Sequence, residues 1–149
     1  MRLEHAKEFP AASRALRQAA DALKDSGLEP GLKELVYLRA SQINGCSFCV
    51  DMHARAARAG GEEERRLHLV AAWREAQCFT ARERAALAWT EAVTLVSQTH
   101  VPDDVYQEAS RQFSPSDLVA LTLAVVIING WNRLQIAFRV AAPEPGPPA

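Results

Sequence analysis

The residues best suited to chemistry in this 149-residue chain are two cysteines three positions apart, followed by a histidine. Cys46 and Cys49 enclose a Ser-Phe pair, and His53 follows the second cysteine by four residues. On a helix, these spacings place all three side chains on one face. A helix N-terminus and a neighbouring base each lower the pKa of a thiol from its usual value of about 8.5, which favours the reactive thiolate. The pattern is typical of a redox-active thiol pair, with a metal site as the alternative.

A base that takes a proton from a thiol works best when another group orients it. Glu34 is the candidate for that role, because it precedes the apolar stretch 35–38 and follows Leu32. A short turn at Asn44-Gly45 joins the helix predicted around Glu34 to the helix predicted around the cysteines. Antiparallel packing through this turn would bring Glu34 to the face that holds the thiols and the imidazole.

The segments that must position these residues carry helical signals almost throughout, and strand signals are nearly absent. Prolines at first turns, capping-box patterns at Thr80 and Ser114, and glycines at helix ends define the boundaries. Helix starts are predicted near Pro10, Pro30, Cys46, Glu62, Thr80, Pro102 and Ser114. We therefore predict an all-α fold, a compact bundle of about six to seven helices.

The last predicted helix, from Ser114 to about Val140, is apolar on all sides between Leu118 and Ile128. Such a helix lies either at the centre of a core or under another subunit. Since a chain of this size does not easily encircle one helix, we predict a homo-oligomer. The 11-residue apolar run is shorter than the roughly 20 residues of a membrane span, so no membrane association is expected.

Length, composition and charge narrow the classes of protein to which this chain can belong. With 48% apolar and 23% charged residues, the chain is expected to form one globular domain over 1–149. A net charge of −1 provides no basic surface for nucleic acid. A charged N-terminus without an apolar signal core, together with only three cysteines, predicts a cytoplasmic protein. The Pro-rich segment 143–149 is expected to be a flexible tail.

Glu34, Cys46, Cys49 and His53 form a pattern that resembles the core motif of the alkylhydroperoxidase D family, within the carboxymuconolactone decarboxylase superfamily. From position 35 the chain reads Leu-Val-Tyr-Leu-Arg-Ala-Ser-Gln-Ile-Asn-Gly-Cys-Ser-Phe-Cys-Val-Asp-Met-His. The core motif covers about 30–80, and the flanking stretches 72–75, 82–91 and 128–133 extend the similarity over roughly 10–140. The motif is specific, whereas an isolated Cys-x-x-Cys is not.

This resemblance implies a thiol peroxidase that reduces organic hydroperoxides in antioxidant defence. By the same resemblance, Cys49 is the peroxidatic thiol, Cys46 resolves its sulfenic acid to an intramolecular disulfide, and His53 and Glu34 form the proton relay. Members of the family are all-helical and assemble as trimers or hexamers. Some draw electrons from a lipoyl dithiol on a partner protein. No metal or organic cofactor is required.

Alternatives remain for both the site and the protein. A structural zinc site needs four ligands, usually with a second Cys/His pair, whereas here only Cys46, Cys49 and His53 are at hand, with Glu34 as the one further candidate. A zinc site and a pair of inert core thiols are therefore the other interpretations of the cysteines. A redox-sensing or non-catalytic binding protein of the same fold, and a carboxymuconolactone-decarboxylase-like enzyme, are the other interpretations of the protein. The decarboxylase branch does not use this cysteine pair, which favours the peroxidase branch.

Other polar and aromatic residues are assigned structural roles. Cys78 is interpreted as a bystander thiol. Packing or surface positions are predicted for Tyr37 and Arg39. Hydrogen bonds between helices, with a substrate-cleft role as the alternative, are predicted for Asn129, Asn132 and Arg133. Core or interface positions are predicted for Trp73, Trp89 and Trp131.

Overall fold

Within residues 1–143, which the computed structural model describes, the chain forms α-helices and no β-strand. The helices are α1 (His5–Glu8), α2 (Pro10–Ala22), α3 (Pro30–Asn44), α4 (Ser47–Ala59), α5 (Glu64–Leu69), α6 (Ala81–Thr94), α7 (Val96–Thr99), α8 (Asp103–Gln112) and α9 (Pro115–Ala137), with 3₁₀ turns at Leu23–Asp25 and Val70–Ala72. The predicted all-α class is confirmed. Apart from Pro143, the predicted tail 143–149 lies outside the described residues.

Every predicted helix has a counterpart, and the two four-residue helices α1 and α7 were not predicted. The capping box at Thr80 is present: its hydroxyl accepts from the Glu83 amide at 3.2 Å, and the Glu83 carboxylate accepts from the Thr80 amide at 2.8 Å. One start is wrong by two residues. α5 begins at Glu64 and not at Glu62, because Glu63 is extended at the N-cap position.

α3 lies at the centre of the fold, in contact with α4, α6 and α9. Leu32 and Val36 on one side of α3 join an apolar cluster with residues of α6, α8 and α9. Leu35 and Leu38 on the other side join a second cluster with residues of α4, α5 and α6. Burial of each leucine stabilises the folded state by roughly 1.5–3 kcal/mol. Because α3 is packed in this way on two sides, it is a rigid support for the polar side chains that it carries.

The turn between α3 and α4 is as short as predicted. Gly45 closes α3 in the left-handed conformation, with φ at +70°, which glycine adopts without strain. Cys46 follows in an extended conformation as the N-cap of α4. Because only these two residues separate the helices, the chain reverses sharply, and the side chains of α3 face those of the first turns of α4.

α9 packs against α2, α3, α4, α6 and α8, and eight of its residues are buried. Its length and apolar composition alone would also suit a membrane span, a property shared by core helices of soluble proteins. The helix is not enclosed on all sides. Val119, Leu123 and Val126 are exposed and, at spacings of four and three, form an apolar stripe along one face.

Candidate active site

The two predicted thiols lie at the N-terminus of α4, with their sulfurs unbonded. Cys46 is 2% exposed and Cys49 is 1% exposed, so both are withdrawn from solvent. They form a small apolar cluster with Ala40 and Ile128, against which aromatic side chains of α3, α4 and α9 pack. The position matches the spacing in the sequence, but the surroundings are more apolar than a helix N-terminus alone implies.

This burial overturns the expectation of a lowered thiol pKa. The pKa of Cys49 is raised to about 12, mainly by desolvation and also by the neighbouring Cys46 thiol, while a hydrogen bond with the Asn132 amide acts in the opposite direction. The lowering of the pKa that a helix N-terminus causes is therefore smaller than the rise caused by the loss of water around the sulfur. At neutral pH the Cys49 thiol therefore keeps its proton at rest, and reaction requires a base that removes it.

A cavity of about 370 Å³ reaches Cys49. His53 lines the same cavity, whereas Cys46 does not. A small molecule that enters the cavity therefore meets the sulfur of Cys49 and the imidazole, with Cys46 behind them. The apolar part of the wall consists mainly of Tyr37, Phe48, Met52, Ile127, Ile128 and Trp131.

Glu34 holds the imidazole, as its sequence position predicts. Its Oε2 lies 2.8 Å from Nδ1 of His53, and the pair bridges α3 and α4. We assign the ring proton to Nδ1, since it is donated to a carboxylate; Nε2 is then left as the basic nitrogen. Glu34 does not line the cavity, whereas Cys49 and His53 both do, so the carboxylate lies outside the lining and binds the imidazole.

Tyr37 packs against the imidazole, with ring centroids 4.9 Å apart and planes tilted by 42°. Burial, and to a smaller extent the Glu34 carboxylate, raise the pKa of Tyr37 to about 12. The phenol therefore stays neutral over the physiological pH range. Tyr37 both limits the rotation of His53 and forms part of the cavity wall, so its predicted role as a packing or surface residue is incomplete.

A network of amides ties α9 to the end of α3, as the helix-to-helix interpretation predicted. Asn44 donates through Nδ2 to Oδ1 of Asn132 at 2.8 Å and to Oδ1 of Asn129 at 3.0 Å. Asn132 in turn donates to the Ser41 hydroxyl at 3.0 Å, and Arg133 donates to Oδ1 of Asn129 at 2.8 Å. These bonds fix α9 against the turn that precedes Cys46.

Three cavity residues were missed or misplaced by the sequence interpretation. Trp131, predicted as a core or interface residue, is half-buried and lines the cavity, as do Arg17 and Gln135. They come from α2 and α9, far from the motif in sequence, and no local spacing identifies them.

Arg39 and Cys78 lie away from the cavity. Arg39 is not a surface group, because its side chain is 18% exposed and pairs with Glu91 at 2.7 Å. Burial alone would raise the pKa of Glu91, but hydrogen bonds from Trp73, Arg74 and Arg39 outweigh it and hold that pKa below its usual value. Cys78 packs in the cluster formed by α3–α6, which is consistent with a bystander.

No group of three or more His, Cys, Asp or Glu side chains is arranged to hold a metal ion within residues 1–143. The zinc interpretation therefore lacks a preformed ligand set in this part of the chain. The site brings together a buried thiol, a second thiol behind it, an oriented base and an apolar cavity.

We expect His53→Gln to slow alkylation of Cys49 at pH 7 by roughly tenfold or more, because a rise of one unit in apparent pKa removes nine-tenths of the thiolate. Below its pKa, a thiol reacts about tenfold faster for each unit of pH, so the rate–pH curve of the variant should shift to higher pH. Rates with a neutral alkylating reagent from pH 6 to 10 test this. His68→Gln, at an exposed histidine of α5, is the control. Superimposable curves for His53→Gln and the unmodified protein would exclude the relay.

Comparison with known proteins identifies the family of this chain. The model of the carboxymuconolactone decarboxylase family matches residues 7–92, which include Glu34, both buried cysteines and His53. The uncharacterized protein YdfG of Bacillus subtilis (strain 168) is 40% identical over 114 residues, 76% of this chain and 78% of YdfG.

Two solved structures have the same fold. ATU0492 from Agrobacterium tumefaciens, a protein of unknown function that has been proposed as the antioxidant defence protein AhpD, is 40% identical, with a TM-score of 0.93 over 97% of this chain and 99% of that one. An alkylhydroperoxidase AhpD core, an uncharacterized peroxidase-related protein from Ralstonia eutropha JMP134, is 23% identical, with a TM-score of 0.82 over 94% of this chain and 75% of that one. The second likeness concerns the fold alone. The chain belongs to the carboxymuconolactone decarboxylase family, and its fold is that of the alkylhydroperoxidase D-like members.

Proposed function

We propose that this protein is a thiol peroxidase that reduces organic hydroperoxides through a dithiol–disulfide cycle of Cys46 and Cys49. The observation that carries the proposal is the placement of Cys49 and His53 on one cavity, with the imidazole held by Glu34 at 2.8 Å. The buried thiol of Cys49 has a high pKa and stays protonated in its apolar surroundings. An oriented base next to the same cavity can remove that proton and form the reactive thiolate.

In the first step, His53 takes the proton of Cys49, directly or through a water, and the thiolate attacks the terminal oxygen of the hydroperoxide. The O–O bond breaks, the sulfur is oxidised to a sulfenic acid, and the alkoxide takes the proton from His53 and leaves as an alcohol. The sum is one thiol and one hydroperoxide giving one sulfenic acid and one alcohol. Exclusion of water by the apolar wall strengthens the interaction of the imidazolium with the leaving oxygen.

In the second step, Cys46 attacks the sulfur of the sulfenic acid, a disulfide forms and water leaves. A thiol three residues away acts at high effective concentration, so ring closure competes well with further oxidation of the sulfenic acid. A dithiol donor then reduces the disulfide by exchange and is itself oxidised to a disulfide. A lipoyl-bearing protein in the cytoplasm is the donor that we favour.

Steady-state consumption of an organic hydroperoxide, with lipoyl, thioredoxin and glutathione donors compared side by side, tests this function. We expect many turnovers per chain with at least one dithiol donor. Consumption of a single equivalent with every donor would favour the redox sensor instead. Stoichiometric zinc that protects both thiols from alkylation would favour the metal site.

We also propose that the protein is a homo-oligomer, a trimer or a hexamer, whose subunits bury the stripe of Val119, Leu123 and Val126. These side chains are 70%, 37% and 55% exposed, which is unusual for consecutive positions on one face of an apolar helix.

Val126→Asp should reduce the mass in solution, measured by light scattering after gel filtration, because a carboxylate would be desolvated in the interface. Val96→Asp on α7, at a valine that is 51% exposed, is the matched control and should leave the mass unchanged. A monomeric parent protein, or equal masses for parent and Val126→Asp, would contradict the proposed interface.

A further inference from the structure

The cavity has a charged group at its outer end. Arg17, on α2, is exposed, while Cys49 is 1% exposed, and both line the cavity. The cavity therefore runs from the surface beside the guanidinium to the buried sulfur. Among its lining residues that the structure describes, Arg17 is the one permanently charged side chain.

Between these ends the wall is apolar and roomy. Phe48, Ile127 and Trp131 contribute to it, and at roughly 30 Å³ for each water-sized group a volume of about 370 Å³ holds about a dozen such groups. Hydrogen peroxide would fill a small part of this space and would make no use of the apolar wall. An apolar organic body fits both the volume and the lining.

The guanidinium of Arg17 has no ion pair or hydrogen bond with any residue of 1–143. On the same helix, Arg14 lies three residues before it and Asp21 four residues after it, but Asp21 pairs with Lys24 at 2.6 Å. The charges that α2 carries around Arg17 are thus net positive. The planar fork of an arginine suits two-point binding of a carboxylate.

We propose that the substrate is an amphipathic hydroperoxide that carries a carboxylate: Arg17 binds the carboxylate at the mouth, the apolar body fills the cavity, and the hydroperoxide group reaches Cys49. This inference rests on the proposed function and adds its substrate class. Arg17 acts as a specificity-determining residue and takes no part in the proton relay.

The test compares kcat/KM for a medium-chain fatty acid with a hydroperoxide near its far end and for the methyl ester of the same compound. The protein should prefer the acid by roughly fivefold, the ratio for one exposed ion pair, mainly through KM. Arg17→Gln should lower kcat/KM for the acid until it equals that for the ester, and Arg17→Lys should retain part of the preference. Arg14→Gln, at an exposed arginine of the same helix that does not line the cavity, should behave as the parent.

A binding measurement separates this inference from the proposed function. An unreactive medium-chain fatty acid should protect Cys49 from a neutral alkylating reagent better than the corresponding alcohol does, and Arg17→Gln should remove the difference. Protection without turnover of any peroxide would overturn the peroxidase function and support the carboxylate site. Equal turnover of acid and ester, or an equal loss of preference in Arg14→Gln, would overturn the carboxylate site and leave the peroxidase function standing.

Discussion

Cys49→Ser is expected to abolish hydroperoxide turnover, with kcat/KM reduced by roughly 10⁴-fold or more. A serine hydroxyl in the same apolar pocket keeps its proton even beside His53 and is a far weaker nucleophile towards an O–O bond than sulfur. The loss should be the same with every reductant, because the first chemical step fails. Initial rates of peroxide loss and of alcohol formation measure it.

The control for Cys49→Ser is Cys78→Ser. Cys78 is half-buried, belongs to another apolar cluster and does not line the cavity. Its replacement should leave turnover intact, and circular dichroism should show that both variants keep the helical fold. Full activity of Cys49→Ser in a folded protein would remove the proposed mechanism.

Cys46→Ser should give one oxidation per chain and then stop. Cys49 still reduces one equivalent of hydroperoxide, but its sulfenic acid finds no thiol on the turn before α4. Mass spectrometry should show an adduct of one oxygen atom, followed by sulfinic and sulfonic acids when peroxide is in excess. The initial burst should keep most of its rate, since Cys46 does not line the cavity.

For Cys46→Ser, the quantity to compare with the parent is the number of equivalents consumed, because the burst rate reports only on Cys49. A variant that cycles as fast as the parent, with the same dithiol donor, would show that Cys46 is not the resolving thiol. Disulfide formation between Cys46 and Cys49 in the oxidised parent protein, detected by peptide mapping, gives the complementary result.

The parts of this molecule that depend on local sequence could be predicted from it. Capping boxes, first-turn prolines and Gly45 locate the helices, and the spacing of Cys49 and His53 places both on one face of α4. The short turn and the family resemblance together predict the contact between Glu34 and His53. That contact depends on only two residues between the helices, which leaves the chain little freedom.

Features that arise from tertiary packing could not be predicted in this way. The pKa of Cys49 rises because α3 and α9 enclose the sulfur, and no property of the Cys-Ser-Phe-Cys segment shows this. In the sequence Arg39 resembles a surface cation, and only the structure shows its pair with Glu91, a carboxylate that also accepts from Trp73. Arg17 and Trp131 reach the cavity from helices at opposite ends of the chain, so their contribution depends on the bundle as a whole.

The seclusion of Cys46 behind Cys49 has a consequence for the return half of the cycle. In the proposed disulfide, a donor thiolate that arrives through the cavity encounters the Cys49 sulfur, so the mixed disulfide forms there and Cys46 departs as the leaving group. Oxidant and reductant thus share one entrance and one atom. Oxidation and reduction therefore cannot take place at the same time. A bulky hydroperoxide that occupies the entrance slows the reduction of the disulfide, because it blocks the donor thiol.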